Sequence, residues 1–339
     1  MTDFYQLSPD QQAGRYQKLA ELVLPNWGLQ DATLSMIKMR ENAVFKVEKQ
    51  NQEKVILRIH RAEYHSDEAL RSELQWIRAL AEEGIDTPAV IPTLDGELFV
   101  APDNDIAGKP RQIDMFAWVD GEQLGSIEGG LEGDAETQSS NFRTIGELAG
   151  RVHNQACAWP PPEGFHRHAW DVEGLMGEEP FWGRFWELEV LTPGQVDLML
   201  RVRSKVTEEL NAFGYAPDKY SMIHADMVPE NVLVDGDRIR LIDFDDAGYG
   251  WHLFEMATSL YFSNPEGSIE HLISSYIDGY RTQRDLSDED LQSFPAFLMA
   301  RATTYLGWAH TRNETETARE LTPMIVAMAC EKAEEYLSA

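Results

Sequence analysis

Cysteine is nearly absent: only Cys157 and Cys330 occur in 339 residues. One pair cannot build a disulfide framework or a four-cysteine metal site, and a reducing compartment is the expected setting. Positive charge is scarce too. Lys and Arg number 29 against 58 Asp and Glu, a formal net charge of −29. Such a balance opposes binding to nucleic acid and to anionic membranes, and would draw in a cationic ligand. No uninterrupted apolar run approaches the roughly 18 residues a membrane helix needs. Met1–Gln12 is polar and acidic, without signal-peptide character. A cytoplasmic protein, monomer or homodimer, with no nucleic-acid or membrane partner is expected.

What the chain does have is a hydrophobic fraction of 43% with 10% aromatics, which argues for a folded globule. Its length fits two domains or one two-lobed unit. Apolar spacing over 9–24 predicts a short amphipathic helix ending near Pro25, Asn26 and Gly28. Ser35–Arg40, Ala43–Glu48 and Lys54–Ile59 alternate as strands of an antiparallel meander, and Ser66–Glu83 returns to helical period with Ser66 as N-cap. Ala89–Leu94 and Glu97–Val100 flank the turn pair Asp95-Gly96, and Gln112–Val119 is apolar enough for a buried strand. A first lobe then closes near Asp120-Gly121. Residues 124–140, with Gly129, Gly130 and Gly133, read as a mobile or insert-like connection. Beyond it, Asn141–Cys157, Pro193–Phe213, Leu253–Phe262, Ile269–Arg284 and Ser287–Trp308 have helical patterns.

The most informative stretch is His224-Ala225-Asp226-Met227-Val228-Pro229-Glu230-Asn231, followed by Asp243 in Leu241-Ile242-Asp243-Phe244-Asp245-Asp246. Moving a phosphoryl group needs a carboxylate to position the attacking hydroxyl and oxygen ligands to hold a divalent cation against nucleotide phosphates. Asp226, Asn231 and Asp243 supply those types in that order. Tyr220–Ile223 leads into the octet. Val232-Leu233-Val234 and Arg240-Leu241-Ile242 flank the turn Asp235-Gly236-Asp237, so a hairpin would bring Asn231 and Asp243 together. Two hard oxygens there suit Mg²⁺. Any one of these residues alone would be read as a loop cap, and His224 as a satisfied buried histidine.

The octet and Leu241-Ile242-Asp243-Phe244 resemble the catalytic and metal-binding loops of the aminoglycoside phosphotransferase and choline kinase family. Type II homoserine kinases and a bacterial stress-response serine/threonine kinase are similar as well. The resemblance covers about Met36 to Trp308. It implies an α+β, protein-kinase-like two-lobed fold, with a β-sheet N-lobe over 1–119 and a mainly helical C-lobe over 120–339. ATP and Mg²⁺ would bind in the cleft of such a fold. It further implies Asp226 as catalytic base or orienting group, His224 as a brace of the catalytic loop, and Asn231 and Asp243 as magnesium ligands. Because the phosphoryl transition state is loose, an ordinary acidic pKa suffices for Asp226, which need not be perturbed.

In the first lobe the resemblance places Asn42 in the nucleotide-covering turn Glu41–Phe45, which lacks the glycine-rich G-x-G-x-x-G pattern. Arg58 stands where a lysine is usual, with Glu73 as its helical acid. The alternative is a surface arginine paired with a surface glutamate. Met115–Gly121 resembles the hinge that reads adenine, with Phe116 and Trp118 either flanking the ring or serving as plain core. Val228 lies where protein kinases place a lysine, which tilts against a protein substrate. Asp245 and Asp246 either recruit a cationic acceptor or an extra metal, or Asp246 caps the turn at Gly248. Glu255 and His153 are expected to be structural. The aromatics Phe181, Trp182, Phe185 and Trp186 either line an acceptor pocket or belong to the core. The expected activity is transfer of the γ-phosphoryl group of ATP to a hydroxyl of a small, amine-bearing acceptor, such as an aminoglycoside, a choline-like amino alcohol or a homoserine-like amino acid. The rivals are a stress-type protein kinase and a nucleotide-binding pseudokinase scaffold.

Overall fold

A computed structural model describes residues 4–104, 106–125, 131, 133–262 and 269–338. By their internal contacts these fall into two units, one running to Asp120 and including Pro161–His166, the other comprising Gly121–Pro160 and the chain from Arg167 on.

In the first unit, helix α1 (Pro9–Val23) begins at a capping box. The Ser8 hydroxyl accepts from the Gln11 N–H while the Gln11 side chain accepts from the Ser8 N–H, and Pro9 suits the first helical position. Tyr16, Leu19, Ala20 and Val23 form its buried stripe. Strands β1 (Thr33–Met39), β2 (Ala43–Glu48) and β3 (Lys54–Ile59) make the expected antiparallel meander, with a register shift between Met36 and Lys38. Phe45, Val47, Val55, Leu57 and Ile59 point into the same core as α1. Helix α2 (Asp67–Glu82) starts where the Ser66 hydroxyl accepts from the Ala69 N–H. Strands β4 (Phe99–Val100) and β5 (Ile113–Ala117) complete a five-stranded sheet of order β1-β2-β3-β5-β4.

One expected strand is missing here. Ala89–Leu94 makes only the isolated bridge Val90 to Phe116, through Ile91 N–H to Met115 O and Ala117 N–H to Ala89 O, because from Asp114 on the same edge of β5 is taken by β4, which pairs Phe99 with Asp114 and Val100 with Ile113. The turn it was to enter does form: Gly96 N donates to Thr93 O, and Gly96 takes φ +87°. The strand expected over Gln112–Val119 is confined to β5.

The second unit opens with β6 (Glu122–Gln123), then helix α3 (Ala135–Ala158). This helix starts well before Asn141, since the Asp134 carboxylate caps it by accepting from the Thr137 N–H. Residues 135–140 are therefore helical, not connection, while 126–130 and 132 of that expected connection lie outside the described residues. Strand β7 (Ala169–Trp170), the short α4 (Val172–Met176) and α5 (Pro193–Phe213) follow, then β8 (Tyr220–Ile223), β9 (Val232–Asp235), β10 (Arg238–Leu241) and β11 (Gly248–Trp251). They pair as two three-stranded sheets, β10-β9-β6 and β7-β11-β8. Helices α6 (His252–Leu260), α7 (Glu270–Tyr280), α8 (Asp288–Leu291), α9 (Phe294–Thr311) and α10 (Glu316–Ser338) close the chain. The single helix expected over Ser287–Trp308 is broken between α8 and α9, and Pro295 occupies the first turn of α9, where its missing N–H costs nothing.

Helices α3 and α7 touch backbone to backbone. A Cβ on Gly146 would lie 2.0 Å from Tyr276 O, and one on Gly279 would lie 1.9 Å from Arg143 O, so only glycine fits at either crossing point. Among the described residues, no helix is long and apolar enough to cross a membrane.

Candidate active site

The loop leaving β8 is held in a strained shape. Ala225 takes φ +61°, a region that residues with a Cβ rarely occupy. The carboxylate of Glu255, fully buried on α6, compensates by accepting from the N–H groups of His224 at 2.6 Å and Ala225 at 3.2 Å. Burial pushes the Glu255 carboxyl up, and those N–H groups pull against it. His224 is also fully buried, and burial brings its imidazole down to about 4 although the charge of Glu255 opposes this. The ring is thus neutral, and its tautomer follows from its partners. Nδ1 accepts from the Asp226 N–H at 3.2 Å, so the proton is on Nε2, which donates to Ile242 O at 3.0 Å. Phe244 packs edge-on against the ring at 4.6 Å.

One imidazole therefore joins the octet to the segment carrying Asp243. A second tie is the Ile242 N–H, which donates to Asn231 O at 3.0 Å. Asn231 in turn donates through Nδ2 to Asp226 Oδ2 at 2.7 Å and to Asp226 O at 2.9 Å. Asp243 takes φ +64°, a conformation aspartate tolerates better than most. His224, Asp226 and Asn231 thus form one hydrogen-bonded knot with Ile242, the chain neighbour of Asp243.

The surroundings of Asp226 shift its acidity, although the reaction does not require this. Burial first, then the negative charge of Asp246, hold its carboxyl above the usual range, with Arg301 opposing and Asp243 and Glu230 adding to the rise. A quarter of the side chain stays open to solvent, which moderates the effect of burial. The segment after Asp243 is fixed through its carbonyls. Arg167 donates to Ala247 O at 2.5 Å and Asp245 O at 2.7 Å, and Asp246 O accepts from His168 Nε2 at 3.1 Å and Trp170 Nε1 at 2.9 Å. It is the main chain of Asp246 that these bonds use, and its charge that acts on Asp226.

In the first unit, Arg58 is not a surface residue: it is 6% exposed. Its Nη2 donates to Glu73 Oε1 at 2.7 Å and to Asp114 Oδ2 at 2.6 Å, and its Nε donates to Asp114 Oδ1 at 3.1 Å. The helical acid expected for Arg58 is therefore in place, but a second acid holds the guanidinium by both oxygens. His60 Nε2 also donates to Asp114, at 3.0 Å. Burial would raise the Asp114 carboxyl, yet the charges and hydrogen bonds of Arg58 and His60 bring it below its ordinary value. Phe116 lies under the guanidinium, 5.0 Å from ring centroid to Cζ, and is buried. Trp118 is half-buried, donates to Asp120 at 2.9 Å and carries Lys54 over its ring. Asn42 closes the β1–β2 turn, its side-chain oxygen accepting from the Arg61 N–H at 3.1 Å.

Residues 37–291, well over half of the chain, match the phosphotransferase enzyme family. The chain belongs to that family. It is a phosphotransferase, a kinase, and its fold is protein-kinase-like. A solved microcompartment-associated aminopropanol kinase shares 30% identity with this phosphotransferase at a TM-score of 0.83, covering 95% of this chain and 98% of that one. The amicoumacin kinase of Bacillus subtilis is 23% identical over 315 residues, 90% of this chain and 87% of the relative. A solved amicoumacin kinase in complex with AMP-PNP, Ca²⁺ and Ami superposes at a TM-score of 0.75 with 21% identity, covering 96% of each chain.

Two residues of this phosphotransferase escaped the sequence reading. Asp114 sits inside the strand read as buried and apolar, where a lone carboxylate should have asked for a cation. Arg301 sits in the apolar run Phe297–Leu306 of α9 and is fully buried beside Asp226, its Nη2 3.5 Å from Asp226 Oδ1. The aromatics Phe181–Trp186 serve the core and the protein's own cations. Trp182 faces Arg301 at 4.9 Å and Arg312 at 5.6 Å, Trp186 faces Arg203 at 4.2 Å, and Phe181 stacks on His168 at 3.7 Å.

Proposed function

We propose that this phosphotransferase moves the γ-phosphoryl group of ATP, with magnesium, to the hydroxyl of a small alcohol that carries an amine. The observation that carries the reading is the knot around Asp226: a partly open carboxylate, oriented by Asn231, on a loop tied to Asp243 through His224 and Ile242. Phosphoryl transfer has a loose transition state, so the protein's task is to hold the acceptor oxygen in line and to take its proton late. Asp226 does both in this account. His224 does not touch the reactants and positions the loop.

Asn231 and Asp243 fit a magnesium ion by their chemistry. The Asn231 amide spends its nitrogen end on Asp226, which turns its oxygen toward ligand duty, and Asp243 supplies a hard carboxylate. When bound, the ion supplies neutralisation of charge on the phosphate oxygens. In the first unit, Arg58 is the cation for the nucleotide phosphates, with Glu73 and Asp114 fixing the plane of its guanidinium. Phe116, Trp118 and the turn at Asn42 are assigned to the nucleotide as well.

The aminopropanol kinase, at 30% identity along nearly the whole chain, supports an amino alcohol acceptor, and the net charge of −29 favours a cationic one. The test is a coupled magnesium-ATP assay across aminopropanol, ethanolamine, choline, homoserine and aminoglycosides, with Asp226→Asn as control. Turnover confined to amine-bearing alcohols and lost in the variant is expected. Phosphorylation of proteins in a cell extract, with none of these alcohols turned over, would overturn the reading.

A further inference from the structure

The octet from His224 to Asn231 contains no lysine or arginine, so its central carboxylate finds no cation in its own loop. Helix α9 brings one. Arg301 is fully buried; its Nη2 donates to Tyr305 Oη at 2.8 Å and lies 3.5 Å from Asp226 Oδ1. Rings enclose the guanidinium, with Tyr305 at 4.4 Å, Trp182 at 4.9 Å and Phe254 at 5.7 Å. Nε and Nη1 are buried and have no hydrogen-bond partner among the described residues.

This is a poor way to stabilise a fold. A guanidinium cannot shed its charge, burying it is costly, and an apolar side chain of similar volume would commonly do as well or better. Two of its nitrogens go unsatisfied, while the third rests against the acid that the proposed reaction needs. The carboxylate is then defined from both ends: Asn231 Nδ2 holds Oδ2 at 2.7 Å, and Arg301 faces Oδ1. Tyr305, one helical turn on, fixes the guanidinium in its turn.

We propose that Arg301 is a positioning residue for phosphoryl transfer, holding Oδ1 of Asp226 toward the acceptor hydroxyl and supplying from α9 the positive charge the catalytic loop lacks. The proposal rests on the kinase role given to Asp226 above. Arg301 acts through that carboxylate and through nothing else in the reaction.

A double-mutant cycle tests it. Turnover of magnesium-ATP is measured with aminopropanol and with water as acceptors, for the wild type, Arg301→Lys, Arg301→Gln, Asp226→Asn and the two combined variants. In the otherwise native protein, Arg301→Gln is expected to lower kcat by about 10²-fold, the scale of a misplaced reacting group. The KM for ATP should stay within about twofold, because only the transition state loses an interaction. Arg301→Lys should recover part of the loss. In the Asp226→Asn background, neither Arg301 change should lower the residual rate further. Equal fold-losses in both backgrounds, or a loss carried by KM, would overturn the proposal. If Arg301→Gln does not fold, Arg301→Lys, which keeps the charge, reads the same coupling. A wild type no faster than Asp226→Asn would instead sink the role of Asp226, and this proposal with it, whereas an active wild type with additive losses sinks only this proposal.

Discussion

Arg58 on β3 and Asp114 on β5 stand directly opposite each other in the sheet and are joined by two parallel hydrogen bonds, from Nε to Oδ1 and from Nη2 to Oδ2. Few pairs impose a residue type so firmly. A lysine at 58 has one point charge and could not span both oxygens while also reaching Glu73. Asp114 therefore explains why arginine stands where a lysine is usual.

Removing Asp114 leaves the buried guanidinium with Glu73 alone and His60 without its acceptor. Asp114→Ala is expected to lower the unfolding free energy by about 3–5 kcal/mol, measured by denaturant titration. The triple change Arg58→Met, Glu73→Leu and Asp114→Leu, which leaves no acid of this cluster without its cation, should cost less than Asp114→Ala alone. A triple variant less stable than the single one would contradict the pairing.

Glu255 supports the strained turn at Ala225 through two charge-assisted hydrogen bonds. Glu255→Ala leaves both buried N–H groups without that acceptor and should destabilise by about 2–4 kcal/mol, adding two such bonds at their usual worth. Because the loop carries Asp226, kcat should fall more than the KM for ATP rises. Loss of stability with kcat intact would separate the turn from the chemistry.

His153 and His252 stack at 4.0 Å inside the second unit. Burial holds both imidazoles well below their ordinary value of 6.5, and the charge each would place beside the other adds to this for His252. The unfolded chain takes up protons near that value and the folded chain does not. Stability must then fall as the pH drops below about 6.5, by about 1.4 kcal/mol per pH unit for each histidine, until the folded groups protonate. Raised carboxyls such as Glu255 act with the opposite sign, so a variant isolates the effect. The loss of stability from about pH 7 to about pH 5 should be smaller in His252→Gln than in the wild type, read by denaturant unfolding at each pH. Equal losses would contradict the assignment.

The crossing of α3 and α7 makes a sharper claim on geometry. Gly279→Ala puts a methyl within 1.9 Å of Arg143 O, and the two helices must separate. A cost of about 3 kcal/mol or more is expected, the upper range for overpacking, visible as a lower Tm. Gly194→Ala, in open space on α5, is the control that should change little.

Much of this was legible in the sequence, and the rest failed for identifiable reasons. Strand β2 ends where its alternation says because it has one buried face and a polar turn at both ends. The octet could be read because its chemistry is local: Asp226 and Asn231 are neighbours, and one hairpin returns the chain to Asp243. Arg301 could not, since only tertiary packing places α9 beside the octet. The early start of α3 was hidden by the glycines before it, although Asp134 with Thr137 is a capping signal. The strand expected at 89–94 is cut to one bridge because β4 pairs with the same edge of β5 from Asp114 on, a competition that only the fold reveals.

The central claim is that Asp226 orients the acceptor hydroxyl for phosphoryl transfer. Its most direct test is kcat for magnesium-ATP and aminopropanol in Asp226→Asn, beside the affinity of the same variant for AMP-PNP. A kcat lower by about 10²- to 10⁴-fold is expected, the usual share of a positioned acid or base, with nucleotide affinity unchanged. Turnover equal to that of the wild type would contradict it.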